Sequence, residues 1–165
     1  CGQGEGSGWQ LPKSDLPALA ARQKNPSAEG PELRLRNATL WGGNLTVLCA
    51  LVGTPWLPQV KGGVLFLEDA NEHPYRIERQ LTQLLMAGVL DQQKAVVLGA
   101  FNRYKLVPHD KGFKLQTVVD WLRTRTKTPV LTGLPFGHVP TKVMLPVGQK
   151  VELMVQGRDA LLYWG

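Results

Sequence analysis

Residues 64–69 read VLFLED, four apolar side chains followed by two carboxylates. A continuous apolar run of this kind predicts a strand that is buried on both faces, as in a parallel sheet. Residues 74–88 then predict an amphipathic helix, because their apolar side chains recur at helical spacing. Pro74 at its start and Gly88 at its end are typical helix boundaries. A buried strand followed by a helix is characteristic of α/β proteins.

The same alternation of strand and helix signals continues on both sides of this unit. The other predicted elements are a half-buried strand around residues 33–35, a short helix after residues 42–44, a buried strand at residues 94–99, a helix at residues 115–123, and strands at residues 130–131, 142–145, 150–155 and 160–164. Residues 32–165 are therefore predicted to form one α/β domain, with a mixed sheet flanked by helices and a strand-rich C-terminal edge.

Residues 1–31 differ in composition from the rest of the chain. Residues 1–8 contain four glycines, and four prolines follow at intervals that interrupt regular structure. We therefore expect residues 1–31 to be a linker or the remnant of an interdomain segment. At most a short helical turn is predicted near residues 16–22.

The composition is that of an ordinary globular protein. Of the 165 residues, 43% are hydrophobic and 19% are charged, and the formal net charge is +6. The lysines and arginines are scattered, without basic runs or interleaved aromatic residues. This distribution argues against nucleic acid as a partner and favours a mild preference for ligands that carry carboxylates. No uninterrupted apolar run approaches the ~20 residues that a membrane-spanning helix needs.

The chain has two cysteines, Cys1 and Cys49. Cys49 lies in an apolar segment, where a thiol packs as a small hydrophobic side chain. Two such cysteines predict neither a disulfide framework nor a metal site, and a reducing compartment is the simpler interpretation. The sequence also has no HExxH motif, no paired CxxC and no phosphate-binding glycine loop, so it predicts no metal and no other cofactor.

Glu68 and Asp69 are the first candidate functional residues, because they directly follow the apolar strand. Loops at strand ends carry the functional groups of many α/β proteins. A carboxylate in this position can orient a histidine, bind a metal ion or cap the following turn. The position alone favours capping, since acidic residues are common near helix starts.

His138 is the second candidate, because it stands between Gly137 and a predicted strand. A single histidine is more often a surface residue or a hydrogen-bonded core residue than a catalyst. His109 is predicted to lie in a loop. His73 is predicted to lie at the entry of the helix at residues 74–88.

An acid and a histidine catalyse acyl transfer only with a nucleophile beside the base. All three serines of the chain, Ser7, Ser14 and Ser27, lie before residue 32. Ser14 stands between a lysine and an aspartate, but it lacks the buried strand and tight glycine turn that would hold a nucleophile. Cys49 is expected to be too deep in its helix to react.

Several motifs occur along the chain in a characteristic order. They are TLWGGNL at residues 39–45, GTPW at residues 53–56, LEDANEHPYRIER at residues 67–79, the helix residues 81–88, residues 96–101, GLPFGH at residues 133–138 and LPVG at residues 145–148. Together they resemble the C-terminal half of the LD-carboxypeptidases, a family of serine peptidases that act as muramoyltetrapeptide carboxypeptidases. The resemblance extends from about residue 29 to the C-terminus.

This resemblance implies a small swivelling C-terminal domain of a cytoplasmic enzyme with a Ser–Glu–His triad and no metal. Such enzymes release the terminal D-alanine of the murein tetrapeptide during peptidoglycan recycling. The glutamate of the triad corresponds to Glu68 and the histidine to His138. The serine belongs to an N-terminal domain that is not in this sequence, so the isolated chain is expected to be inactive.

Two alternatives stay open. A chain without a nucleophile can bind muropeptides or mediate homodimerisation without cutting them. Relatives with the same triad hydrolyse a peptide–nucleotide antibiotic instead of murein, although residues 71–76 match the murein branch closely. The expected partners are a murein tetrapeptide or muropeptide, the N-terminal domain and, in the dimer interpretation, a second copy of the chain.

Overall fold

The computed structural model describes residues 4–23 and 30–165. The described strands are β1 (Glu5–Gln10), β2 (Leu33–Asn44), β3 (Val64–Ala70), β4 (Ala95–Asn102), β5 (Val130–Leu131), β6 (Lys150–Gln156) and β7 (Asp159–Trp164). The described helices are α1 (Leu16–Ala20), α2 (Leu45–Ala50), α3 (Pro74–Met86) and α4 (Leu115–Arg125). None of these helices is long and apolar enough to cross a bilayer.

The described strands form one mixed sheet in the order β1-β7-β6-β2-β3-β4-β5. The strands from β2 to β5 run parallel to one another, whereas β1, β7, β6 and β2 pair antiparallel. Parallel neighbours need crossover connections, and these contain α2, α3 and α4. The predicted α/β fold, with a mixed sheet flanked by helices, is confirmed.

The apolar run that begins β3 contributes to two hydrophobic cores, one on each face of the sheet. Leu65 and Leu67 pack in the core that contains side chains of α2, α3 and α4. Val64 and Phe66 pack in the core that contains side chains of β1, β6 and β7. Because successive side chains of a strand point to opposite faces, this one run fills both cores.

The prediction that residues 1–31 form a linker is wrong for most of the described part of that segment. β1 pairs with β7 along its whole length, and Leu11 is fully buried. The glycines are compatible with a strand here because β1 lies at the sheet edge against large side chains of β7. The helical turn predicted near residues 16–22 is present as α1. Residues 1–3 and 24–29 lie outside the described residues, so the linker prediction is untested there.

The prediction of a strand at residues 142–145 is also wrong, because these residues form an irregular loop. The Val143 N–H donates to the Pro135 carbonyl at 2.9 Å. Val143 and Leu145 pack against the core that contains β1, β6 and β7. Their alternating apolar pattern therefore reflects a loop that packs on the core without joining the sheet.

The carboxyl ends of the parallel strands lie together along one side of the sheet, called here its carboxyl edge. β2 ends at Asn44 and β4 at Asn102. Glu68 lies near the end of β3, and the segment after β5 carries His138. Ligands of α/β sheets bind beyond the carboxyl ends of such strands. The fold therefore places both candidate residues at the edge where a functional site is expected.

Candidate active site

Glu68 lies near the end of β3 with its side chain 11% exposed. The register of β3 against β4 shifts between Leu67 and Asp69, so Glu68 occupies an irregularity in the ladder. Such irregularities re-aim side chains near active sites. Glu68 Oε1 lies 3.4 Å from Asn44 Nδ2. Glu68 Oε2 is buried and has no hydrogen-bond partner among the described residues.

His138 faces this carboxylate. Its Nδ1 lies 3.4 Å from Glu68 Oε2, and its side chain is 49% exposed. The distance is slightly longer than a hydrogen bond of about 2.7–3.2 Å, as is common for catalytic pairs without substrate. The two residues are 70 positions apart in the sequence, so the tertiary fold brings them together. Their catalytic roles stay a prediction.

Two glycines make room for this contact. Gly137 has φ +115°, and a Cβ there would stand 2.9 Å from Glu68 Oε2 and 3.1 Å from Glu68 Cβ. A Cβ at Gly99 would stand 2.7 Å from the Phe136 carbonyl oxygen. Glycine is therefore required for the His138 segment to lie directly against β4 and Glu68.

Asp69 is held by the start of α2. Its Oδ2 accepts hydrogen bonds from the Thr46 N–H at 3.0 Å and the Thr46 hydroxyl at 2.7 Å. Its Oδ1 accepts a hydrogen bond from Asn44 Nδ2 at 3.1 Å. Asn44 Oδ1 in turn accepts from the Val47 N–H at 3.0 Å. Asp69 therefore stabilises the beginning of α2, which leaves the neighbouring glutamate to face the histidine.

Sequence reasoning missed two asparagines at this edge. Asn44 Nδ2 contacts both carboxylates of the acidic pair. Asn102 Nδ2 donates to the His138 carbonyl at 2.9 Å. Asn44 carried a recognisable signal, because asparagine is a preferred residue at the N-cap of a helix. Asn102 carried none, since its partner lies 36 positions away.

The other two histidines make different contacts. His73 caps α3, since its Nδ1 accepts from the Tyr75 N–H at 3.2 Å, and its Nε2 lies 3.2 Å from Asp110 Oδ2. The hydrogen bond from the Val107 N–H, opposed by burial and aided by His73, holds the pKa of the Asp110 carboxyl below its usual value. His73 thus lies at the helix entry, as predicted, and His109 lies exposed in a 3-10 turn.

The other nucleophiles considered from the sequence have structural roles. Cys49 is buried, and its Sγ donates to the Gln80 carbonyl at 3.3 Å. Burial raises the pKa of the Cys49 thiol to about 11, so the thiol is protonated and unreactive at neutral pH. The segment of Ser14 is tied to the core, because the adjacent Asp15 is fully buried and paired with Arg123 at 2.7 Å.

The geometry suits acid–base chemistry. With Nδ1 facing Glu68, the Nε2 of His138 is the ring atom left to exchange a proton with a reacting group. Among residues 4–23 and 30–165, no group of three His, Cys, Asp or Glu side chains is arranged to hold a metal ion. The arrangement is compatible with the roles predicted for His138 as a base and for Glu68 as the acid that orients it.

Known proteins are similar to this chain in sequence and in fold. The family model of the LD-carboxypeptidase C-terminal domain matches residues 37–153. A murein tetrapeptide carboxypeptidase from Pseudomonas aeruginosa is 34% identical over 127 residues, which cover 75% of this chain and 40% of that protein. The crystal structure of muramoyltetrapeptide carboxypeptidase from Oxalobacter formigenes is 42% identical, with a TM-score of 0.82, over 99% of this chain and 50% of that one.

A microcin C7 self-immunity protein from Escherichia coli is also similar, at 28% identity over 113 residues, covering 68% of this chain and 32% of that protein. The solved structure of such a protein with glutamyl sulfamoyl guanosine shares the fold, at 23% identity and a TM-score of 0.68. The chain spans half or less of the length of each of these proteins. It belongs to the LD-carboxypeptidase family and corresponds to the C-terminal domain of that family.

Proposed function

We propose that this chain is the acid–base part of a cytoplasmic serine LD-carboxypeptidase, which releases the terminal D-alanine of murein tetrapeptide in peptidoglycan recycling. The observation that carries the proposal is the 3.4 Å separation of Glu68 Oε2 and His138 Nδ1 at the carboxyl edge of the parallel strands. The names of the relatives, murein tetrapeptide and muramoyltetrapeptide carboxypeptidase, support the choice of substrate.

In this proposal His138 is the general base and Glu68 orients it. His138 Nε2 takes the proton of a serine hydroxyl as the serine attacks the carbonyl of the bond before D-alanine. The same nitrogen then gives the proton to the departing amine of D-alanine. The serine, and the backbone N–H groups beside it that stabilise the oxyanion, are supplied by an N-terminal domain outside this sequence.

The surroundings of Glu68 suit such a role. Its Oε2 is buried without a hydrogen bond among the described residues, and its Oε1 has a long contact with Asn44 at 3.4 Å. A buried carboxylate with few donors interacts strongly with a cation that forms beside it. In the proposed reaction the imidazolium of His138 forms as the serine proton is transferred. Glu68 therefore stabilises the charged state on the reaction path more than the resting state.

Release of D-alanine from murein tetrapeptide tests this proposal. The chain alone should release none, whereas an assembly with a serine-bearing N-terminal domain of the family should release it. In that assembly His138→Ala should lower turnover by about 10⁴-fold. His109→Ala is the matched control, because His109 lies exposed in a 3-10 turn, and it should leave turnover unchanged. Robust release by the chain alone that survives Ser14→Ala contradicts the proposal.

The similarity to the microcin C7 self-immunity protein supports a second candidate substrate, a peptide–nucleotide antibiotic. Offering the assembly both a murein tetrapeptide and an aminoacyl sulfamoyl nucleoside distinguishes the two substrates. A non-catalytic role is the remaining alternative. Muropeptide binding or homodimerisation without any release of D-alanine in the complete assembly is the result that would identify it.

A further inference from the structure

Asn102 ends β4 at the point where the two parts of the candidate site meet. Its backbone carbonyl accepts a hydrogen bond from the Asn71 N–H at 2.9 Å, three residues beyond Glu68. Its side-chain Nδ2 donates to the carbonyl of His138 at 2.9 Å. One residue is therefore bonded both to the segment that carries the acid and to the segment that carries the base.

The hydrogen bond from Asn102 to His138 continues a series of hydrogen bonds between β4 and the segment that carries His138. The main-chain N–H of Ala100 donates to the Phe136 carbonyl at 2.8 Å. The bond from Asn102 Nδ2 lies two residues further along both segments. The side-chain amide thus takes the place of a main-chain donor at the point where the strand ends.

His138 needs a restraint of this kind. Its side chain is 49% exposed, so packing restrains it on one side only. The Val139 N–H donates to the Gly137 carbonyl at 3.0 Å, which places His138 at the centre of a tight three-residue turn. A shift of the His138 carbonyl moves the imidazole with it. The 3.4 Å separation from Glu68 therefore depends on what holds this carbonyl.

The unpaired oxygen of the Asn102 amide also points to a specific role. Its Oδ1 is buried and has no hydrogen-bond partner within residues 4–23 and 30–165. An unpaired buried oxygen is unfavourable, and an apolar side chain would avoid it. The donor half of the amide is the part that makes a contact. Local features that disfavour stability are expected where function requires them.

We propose that Asn102 is a positioning residue. It holds His138 at the distance at which Glu68 can orient the imidazole for proton transfer at Nε2. The proposal rests on the proposed function of that pair. Asn102 touches none of the reacting atoms and acts through the backbone of His138.

Kinetics of Asn102→Ala and Asn102→Asp in the assembly with the serine-bearing domain test this role. Aspartate keeps the size of the side chain but, when ionised, has no donor for the carbonyl. Both variants should lower kcat by about 10- to 100-fold, with a much smaller change in KM, because misplacing a catalytic group raises the barrier without removing binding contacts. The control Gln116→Ala removes an exposed amide bonded to Asp120 at 2.8 Å, and it should change neither constant.

The isolated chain offers a readout that does not depend on activity. The chain has three histidines, so their ring signals can be assigned by NMR. Asn102→Ala should shift the ring signals of His138 and broaden or move its backbone amide, while the signals of His73 and His109 stay in place. If the alanine variant unfolds, the same NMR comparison with Asn102→Asp, which keeps the packing volume, tests the positioning role.

Unchanged His138 signals, or wild-type kcat in both Asn102 variants, overturn the positioning role. The proposed function fails separately, if His138→Ala leaves the turnover of the assembly intact. In that case the NMR comparison still shows whether Asn102 holds the segment of His138.

Discussion

Asp15 and Glu68 are both buried acids that face a basic side chain, and they differ in how completely they are hydrogen-bonded. Asp15 Oδ1 accepts from Arg123 Nη2 at 2.7 Å and from the Thr132 hydroxyl at 2.8 Å, and its Oδ2 accepts from the Thr132 N–H at 2.7 Å. Glu68 Oε2 instead has His138 Nδ1 at 3.4 Å and no hydrogen bond among the described residues. Both oxygens of Asp15 accept hydrogen bonds, whereas Glu68 Oε2 accepts none among the described residues. We call Asp15 with Arg123 the saturated pair and Glu68 with His138 the open pair.

This difference separates a structural pair from a candidate catalytic one. Asp15 and Arg123 connect the segment before α1 to α4 and β5, and Arg123 also donates to the Val130 carbonyl. A closed network of this kind rigidifies the region. In the pair of Glu68 and His138, the carboxylate oxygen that faces the imidazole has no hydrogen bond among the described residues. Completeness of hydrogen bonding, more than burial, therefore distinguishes the structural pair from the candidate catalytic pair.

The largest expected effect is that of Glu68→Gln on turnover by the complete assembly. We expect kcat to fall by about 10⁴-fold, because the amide keeps the size of the side chain but loses the charge that supports the imidazolium. Urea denaturation of the chain should show little change in stability. D-alanine release and the urea midpoint measure the two quantities. Near-normal turnover would remove the distinction between the two pairs.

Asp15→Ala should instead have its main effect on stability. Removing this carboxylate leaves Arg123, whose side chain is 12% exposed, without its main partner, and should lower the free energy of unfolding by about 3–5 kcal/mol. Asp120 lies 3.9 Å from the same guanidinium but is 62% exposed, so Asp120→Ala should cost less than about 1 kcal/mol. Urea denaturation of both variants measures the difference. Equal losses in the free energy of unfolding would show that the saturated pair does not stabilise the fold more than the exposed Asp120 does.

Gly137→Ala should perturb the open pair sterically. Positive φ in an alanine costs about 1–2 kcal/mol, and at Gly137 the new Cβ also meets the Glu68 carboxylate at 2.9 Å. Gly112 has φ +83° with nothing within 4 Å of its Cβ position, so Gly112→Ala carries the backbone cost alone. Activity should fall in the first variant and persist in the second. Identical stability and activity of the two variants would contradict the crowding at Glu68.

The smallest expected effect concerns an exposed pair in the antiparallel half. A hydrogen bond from Arg34 lowers the pKa of the Glu152 carboxyl below its usual 4.5. A lowered pKa stabilises the folded chain above the unfolded value, and this contribution is lost as pH falls through the folded value. Glu152→Gln should therefore lower Tm slightly at neutral pH. The difference from wild type should vanish in strong acid, and a difference that grows there would contradict the assignment.

Local pattern predicted the parallel half of the fold well, because apolar spacing records which faces are buried. β3 and α3 lie where the run at residues 64–67 and the helical spacing after it place them. The same reasoning failed for β1 and for the loop at residues 142–145. In both segments the outcome depends on whether a partner strand is available. The local pattern of a glycine-rich edge strand or of an apolar loop does not contain that information.

The sequence alone establishes the residue types of the candidate site, through the acidic pair after an apolar strand and the motif around His138. The resemblance to the LD-carboxypeptidases predicted that Glu68 faces His138, but residue chemistry and spacing alone could not, because Glu68 and Asp69 are chemically similar and adjacent. The irregularity of β3 at Glu68, the space left at Gly137 and the bond from Asn102 decide that outcome. Each of them joins segments that are distant in sequence, and such contacts exist only once the strands are paired in register.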